Sequence, residues 1–237
     1  MKHESRAVGG RIVTMPFTIL LAFGLIGLFL IGLRFALGLG ATTNLSAGYP
    51  WGIWIAFDVV TGTALACGGY AMALMVYVFN RGRYHPLIRP AILTSALGYS
   101  IAAIAIAIDV GRPWELWKVP LMLWRWNVNS VLLEVAVCMM AYTFVLWLEL
   151  APAMLDRWRE SSHPRLRRIA VKSTGFFDRA LLWIIGLGIL LPTMHQSSLG
   201  SLILLSGPRL HPLWNTNLLP AFFLLTALAM GYAMVVF

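Results

Sequence analysis

The chain has 237 residues, 59% hydrophobic and 11% charged, with a formal net charge of +9. A water-soluble domain carries roughly 25% charged residues, so this chain lacks the polar surface to cover a globule, and a soluble fold is excluded. Its apolar runs reach the roughly 20 residues a helix needs to cross hydrocarbon, and they lack the alternation of barrel strands. The sequence therefore predicts an all-α, polytopic transmembrane helix bundle, read as one domain over 1–237.

Six spans follow in chain order. The first, 16–39, is too long for a signal-peptide core and has no small-residue cleavage site, so it is expected to be retained. GYPWG at 48–52 leads into the second, 52–79, and RGRYHP at 81–86 into the third, 88–109. GRPW at 111–114 precedes the fourth, 126–150. A polar, basic connection at 151–173 holds Arg157, Arg159, Arg165, Arg167, Arg168 and Lys172. The fifth span, 174–196, carries Pro192, expected to kink or end the helix beside His195. After GPRLHP at 207–212 the last span, 218–237, stops at Phe237 with no polar cap. The chain is therefore expected to be the N-terminal portion of a longer bundle.

Lys2, Arg6, Arg11, Arg81, Arg83, Arg89, the six residues of 151–173 and Arg179 fall on one side of this arrangement. Only Arg34, Arg112, Lys118, Arg125 and Arg209 fall on the other. Basic residues mark the cytoplasmic side, which puts the N-terminus in the cytoplasm. In short loops they are orientation signals in contact with membrane lipids, and no nucleic-acid partner is implied. Trp51, Trp54, Trp114, Trp117, Trp124 and Trp126 gather near the opposite ends of spans two to four, as an aromatic belt does. Cys67 and Cys138 form no metal-binding pair, so neither an iron–sulfur cluster nor a zinc site is expected in this chain. Of His3, His85, His163, His195 and His211, only His195 lies in a span. A bis-histidine haem is therefore not expected either.

Ionisable groups inside spans are costly and point to function. Asp58, Glu134 and His195 are the informative ones, with Asp109 at a span end. Trp54, Asp58 and Thr61 share one helical face, and Asn127, Ser130, Glu134 and Cys138 form a polar stripe. Thr193, Gln196, Ser197 and Ser198 surround His195. With the N-terminus inside, all of these polar groups fall in the outer half of the membrane. Acid, imidazole and amide at one depth, walled by apolar helices, suit a polar-headed lipophile such as a quinone. The expected quinone-binding residues are His195, Asp58, Gln196, Trp54 and Asn127, and the expected proton-transfer residues are Glu134, Asp58, Tyr99 and Arg89. His195 is placed near the outer surface, with Asp58 and Glu134 deeper. A proton or ion transporter and a purely structural anchor are the alternatives, since buried carboxylates also serve those.

Five segments carry a resemblance: AGYPWGIWIAFDVVTGTALACGG (47–69), YVFNRGRYHPLIRPA (77–91), IDVGRPW (108–114), NVNSVLLEVAVCM (127–139) and LLPTMHQSSLGSL (190–202). Together they resemble the membrane subunits of group 1 nickel–iron hydrogenases, the HybB type, often labelled cytochrome b subunits. These sit within the NrfD/polysulfide-reductase membrane-subunit family. The resemblance implies a multi-pass anchor in the bacterial inner membrane that belongs to a hydrogen:quinone oxidoreductase without holding its catalytic centre. It implies a periplasmic iron–sulfur electron-transfer subunit and the nickel–iron large and small subunits as partners, menaquinone or ubiquinone as the redox ligand, and no haem. Asp58, Tyr99, Glu134 and His195 match polar intramembrane positions of that family.

Overall fold

The computed structural model describes residues 13–45, 57–205 and 211–237. Trp51, Trp54, all of GYPWG and residues 207–210 of GPRLHP lie outside the described residues. Among the described residues all regular structure is helical, and six helices are long and apolar enough to cross a membrane. The expected all-α fold and the six expected spans are therefore found.

The backbone divides into two compact units, Met1–Gly52 and Ile53–Phe237. In the first, helix α1 covers Met15–Leu37. Thr14 caps it by accepting from the Phe17 amide at 3.4 Å, and Pro16 sits in the first turn, where its missing N–H costs nothing. Gly38 ends it at φ +89°, a conformation that L side chains rarely adopt.

The second unit holds five helical spans: α2 (Phe57–Val78), α3 (Ile88–Asp109), α4 (Val131–Arg159), α5 (Pro164–Leu205) and α6 (Leu219–Val236). The most extensive pairing is α4 with α5; α6 lies against α5 and α2, and α3 against α2 and α4. Small residues let the backbones approach, as in membrane bundles generally. A Cβ at Gly231 would meet the Cys67 carbonyl oxygen at 2.6 Å, and one at Gly98 would meet Ala66 Cβ at 2.7 Å. The core between these helices contains Cys67, Tyr70, Ala96, Tyr99, Met139, Tyr142, Leu146 and Ala227.

α2 is not a regular helix. It widens into π turns at Phe57–Gly62 and Leu74–Val78 and breaks at Ala66 and Cys67. Beyond the break, the Gly69 N–H donates to the buried Ser95 hydroxyl of α3 at 2.7 Å. Such turns recur at functional sites, and here they aim Thr63 and Cys67 inward.

Three boundaries differ from the sequence reading. The basic stretch 151–173 is not a loop: α4 runs to Arg159, α5 starts at Pro164, and only 160–163 lies between. Arg, Leu, Met and Glu propagate a helix well, proline is tolerated at the first helical position, and Arg159 clasps the hairpin by donating to Thr174 Oγ1 at 2.6 Å. Pro192 does not end α5, which continues to Leu205. Its ring removes one helical donor, while the Thr193 hydroxyl donates to the Ile189 carbonyl at 2.7 Å. α4 starts at Val131 rather than 126, because Ser130 caps it by accepting from Leu133 N at 3.4 Å and Asn127 Oδ1 accepts from Asn129 N at 3.0 Å. Both contacts favour a turn over a helical continuation.

Candidate functional site

The centre of the second unit is a buried polar cluster built by α2, α3, α4 and α5. Gln196 on α5 is 1% exposed. Its amide Nε2 donates to Thr63 Oγ1 at 3.3 Å, Cys67 Sγ at 3.4 Å and the Tyr99 hydroxyl at 3.4 Å. One amide thus ties α5 to both α2 and α3. Tyr99 is 0% exposed, lies 3.7 Å from Cys67 Sγ through its hydroxyl, and meets the Tyr142 ring edge-on at a centroid distance of 4.7 Å. One turn before Gln196 on α5, the Thr193 hydroxyl pairs with the Tyr70 hydroxyl at 2.8 Å.

His195 is 0% exposed, and its ring centroid is 6.0 Å from that of Tyr99. Neither Nδ1 nor Nε2 has a hydrogen-bond partner among the described residues, and neither does the Tyr142 hydroxyl. Buried polar atoms of this kind are normally satisfied. An imidazole with two open nitrogens and a phenol with an open hydroxyl, close to the same Tyr99 ring, are groups ready to take up hydrogen-bonding ligands.

Of the expected site residues, the structure brings His195, Gln196 and Tyr99 together. His195 is not at the outer end of a span. Because α5 runs on for ten residues, His195 sits at the level of Tyr99, midway along α3. Glu134 is the one near a helix end, in the first turn of α4 and half-buried. Asn127 precedes that helix and is exposed, so the expected Asn127–Cys138 stripe is helical only over Glu134 and Cys138. Asp58 is half-buried at the start of described α2 and makes no hydrogen bond with the central cluster. Arg89 pairs with Asp156 at 3.5 Å at the exposed hairpin end, away from Tyr99. Trp54 lies outside the described residues.

Sequence reasoning missed Glu149. It sits in α4 with its carboxylate packed directly over Gly188 of α5, and it makes no hydrogen bond or ion pair among the described residues. It follows Tyr142 by seven residues, so both share the face of α4 turned to the cluster. That spacing is a readable signal, hidden because Glu149 stands beside the expected span end at 150.

One cleft reaches the cluster and a second lies toward the hairpin end of α4 and α5. The first, of about 460 Å³, lies between Val60 and Ala64 of α2 and an aromatic wall of Trp214, Phe222 and Phe223, with Leu213, Leu219, Thr216 and Thr226 completing its sides and Gln196 facing in. Volume and apolar lining fall in the range of small-molecule sites. The other, of about 250 Å³, opens near the hairpin end between two helical stripes. Pro152, Leu155, Asp156 and Arg159 come from α4, and Thr174, Phe177, Asp178 and Leu181 from α5.

At the surface between α3 and α4, Lys118 Nζ lies 2.8 Å from Glu115 Oε1. That hydrogen bond, with the charges of Lys118 and Arg112, holds the Glu115 carboxyl below its ordinary value.

Comparison with known proteins joins these observations. Over its full length the chain is 48% identical to the "Probable Ni/Fe-hydrogenase 2 b-type cytochrome subunit" of Escherichia coli (strain K12), of which it covers 58%. It is 40% identical, over 99% of its length and 56% of the relative's, to a protein of Nitratidesulfovibrio vulgaris (strain Hildenborough). It is 31% identical, over 70% of its length and 37% of the relative's, to the "Menaquinone reductase, integral membrane subunit" of the same organism. The chain thus spans little more than half the length of the first two of these curated relatives, and less of the third. The model of the family described as "Polysulphide reductase, NrfD" matches residues 41–237. Six apolar helices and a family match across most of its length make this an integral multi-pass membrane protein that belongs to the NrfD family.

Proposed function

We propose that this chain is the quinone-reactive part of the membrane subunit of a respiratory nickel–iron hydrogenase complex. In this reading it lies in a bacterial inner membrane with its N-terminus in the cytoplasm. It passes electrons between a periplasmic iron–sulfur partner, itself coupled to the nickel–iron large and small subunits, and menaquinone or ubiquinone. The observation that carries the reading is the apolar, aromatic-walled cleft that ends on Gln196. Its walls suit an isoprenoid tail and a flat ring, and its inner end offers an amide already joined to Tyr99 and Cys67. The names of two relatives, one a hydrogenase subunit and one a menaquinone reductase subunit, agree with it.

Quinone reduction takes up two electrons and two protons. Gln196 orients the head group by turning one amide N–H from its cluster partners to a carbonyl oxygen. His195 and Tyr99 lie beside that amide and hold the nearest exchangeable protons. Asp58 and Glu134 serve proton delivery from the other end of the spans, while Arg89 remains a surface partner of Asp156. Phe222 and Phe223 keep water from the ring. In this reading the chain contributes no bis-histidine haem, since among the described residues His195 is the one histidine within the helices α1 to α6, His85 lying in the turn before α3. A reduced-minus-oxidised spectrum of the isolated chain without a stoichiometric b-haem band is the expected result.

The central test uses a photoreactive azidoquinone on membranes containing the assembled complex. Labelling should fall on α6 around Phe222 and Phe223, compete with native quinone, and drop at least about ten-fold in Gln196→Leu, the factor that about 1.4 kcal/mol of lost binding produces. Labelling elsewhere in the chain, or labelling indifferent to Gln196→Leu, would sink the reading.

A further inference from the structure

Glu149 has no task in the site described so far, yet it is a half-buried carboxylate set into the α4–α5 seam. Its carboxylate oxygen occupies the space that a side chain at residue 188 would fill, so Gly188 is the opening that admits it. An ionisable group without a partner inside an apolar span costs free energy and points to function.

The hairpin cleft opens along the same α4–α5 seam. Of its lining residues, Pro152 of α4 and Leu181 of α5 lie nearest to Glu149 and Gly188 along their helices, and they form its inner end. Glu149 lies three residues beyond Pro152 on the same face, about 4.5 Å of helix rise. Asp156 and Asp178 stand one turn to the open side of that inner end, and both are exposed. In the other direction, two helical turns along the face of α4, Tyr142 with its unpartnered hydroxyl meets the Tyr99 ring edge-on, and Tyr99 neighbours His195 and Gln196. Asp178 and the Arg89-paired Asp156 beside Arg159, then the half-buried Glu149, then the open Tyr142 hydroxyl follow one another from the hairpin face toward the central cluster.

From this succession we propose that Glu149 exchanges protons with water on the hairpin side of the membrane through the cleft between α4 and α5. In the uptake step an O–H bond of hydronium breaks and a carboxyl O–H bond forms on Glu149. Release reverses it, and no electron moves. That the proton continues past Tyr142 to the cleft at Gln196 rests on the quinone reading above.

The test separates the two. Glu149→Cys is introduced into the full complex, in membrane vesicles of both orientations, and treated with a small water-soluble methanethiosulfonate, with unsubstituted complex as background. Labelling is expected only when the hairpin face meets the reagent, and Leu181→Trp, which fills the inner end of the cleft, should slow it at least about ten-fold. In parallel, infrared spectra of the wild-type complex should show a carboxyl band that shifts in D2O. That band should be missing in Glu149→Gln and exchange more slowly in Leu181→Trp. No labelling from the hairpin face, labelling at an unchanged rate in Leu181→Trp, or a band untouched by Glu149→Gln overturns the proposal. None of these readouts involves quinone, so a failed azidoquinone experiment leaves them standing, and the reverse.

Discussion

The centre of the bundle and the connection between α3 and α4 are built from similar polar residues, yet the fold treats them in opposite ways. At the centre, Gln196, Tyr99 and His195 are sealed from solvent and positioned by three helices. At the connection, Asn127 closes a turn, Ser130 caps α4, and Glu134 occupies that helix's first turn, where the dipole favours an acid. What separates them is the partner opposite. A polar group facing another helix is held for use. One at a helix start is spent on satisfying the backbone.

The largest contrast between the two regions is expected in turnover. His195→Ala should lower quinone-linked activity in membranes by at least about ten-fold, or about 1.4 kcal/mol of activation free energy, while activity of the partner subunits with artificial dyes persists. Glu134→Gln, which keeps shape and removes the proton, should lower it less. Equal losses would mean that the connection works as one site with the centre.

Next in size is packing. Gly231→Ala drives a methyl group into the Cys67 carbonyl and should cost about 1–3 kcal/mol in thermal unfolding of the detergent-solubilised protein. Gly186→Ala, at a helical glycine of α5 with no atom within 4 Å of its added Cβ, should be neutral or gain up to about 1 kcal/mol. If the two behave alike, the close crossing of α2 and α6 is not a determinant of the centre.

Smaller still, the role of Glu134 in its helix should be worth about 0.3–1 kcal/mol, read as the stability loss of Glu134→Gln. A loss of several kcal/mol would reveal a buried partner.

The smallest effect concerns pH. The Glu115 carboxyl is held below its ordinary 4.5 in the folded chain, chiefly by the Lys118 hydrogen bond. The contribution is therefore present above that value and fades as pH falls through the lowered one. Stability below pH 4.5 should decline slightly less steeply in Glu115→Gln than in the parent. A steeper decline would contradict the pairing.

Much of this molecule is legible in its residues. Spans can be read because hydrocarbon admits only closed barrels or long apolar helices, and Gln196 and His195 stand out because polar groups cannot face lipid. Helix ends are harder. Arg165, Arg167 and Arg168 look like loop, but arginine continues a helix as well as leucine does, so charge marks where the bilayer ends and not where the helix ends. Pro192 looks like a stop because its local cost is real, and packing on both sides overrides it. Glu149 escapes because its significance depends on Gly188, 39 positions away in the chain and visible only once α4 and α5 are paired.

The length of α5 carries a mechanical consequence. At 42 residues it is about 63 Å long, roughly twice the 30 Å of hydrocarbon it crosses. A single rod therefore carries the turn of His195 and Gln196 at one level and the basic tip at another, with no loop between them to absorb slack. A body that pulls or tilts the tip by a few degrees acts on a stiff lever, whose one interior break in hydrogen bonding is at Pro192, a turn from the imidazole. The tip and the centre are thus one mechanical element, however far apart their chemistry lies.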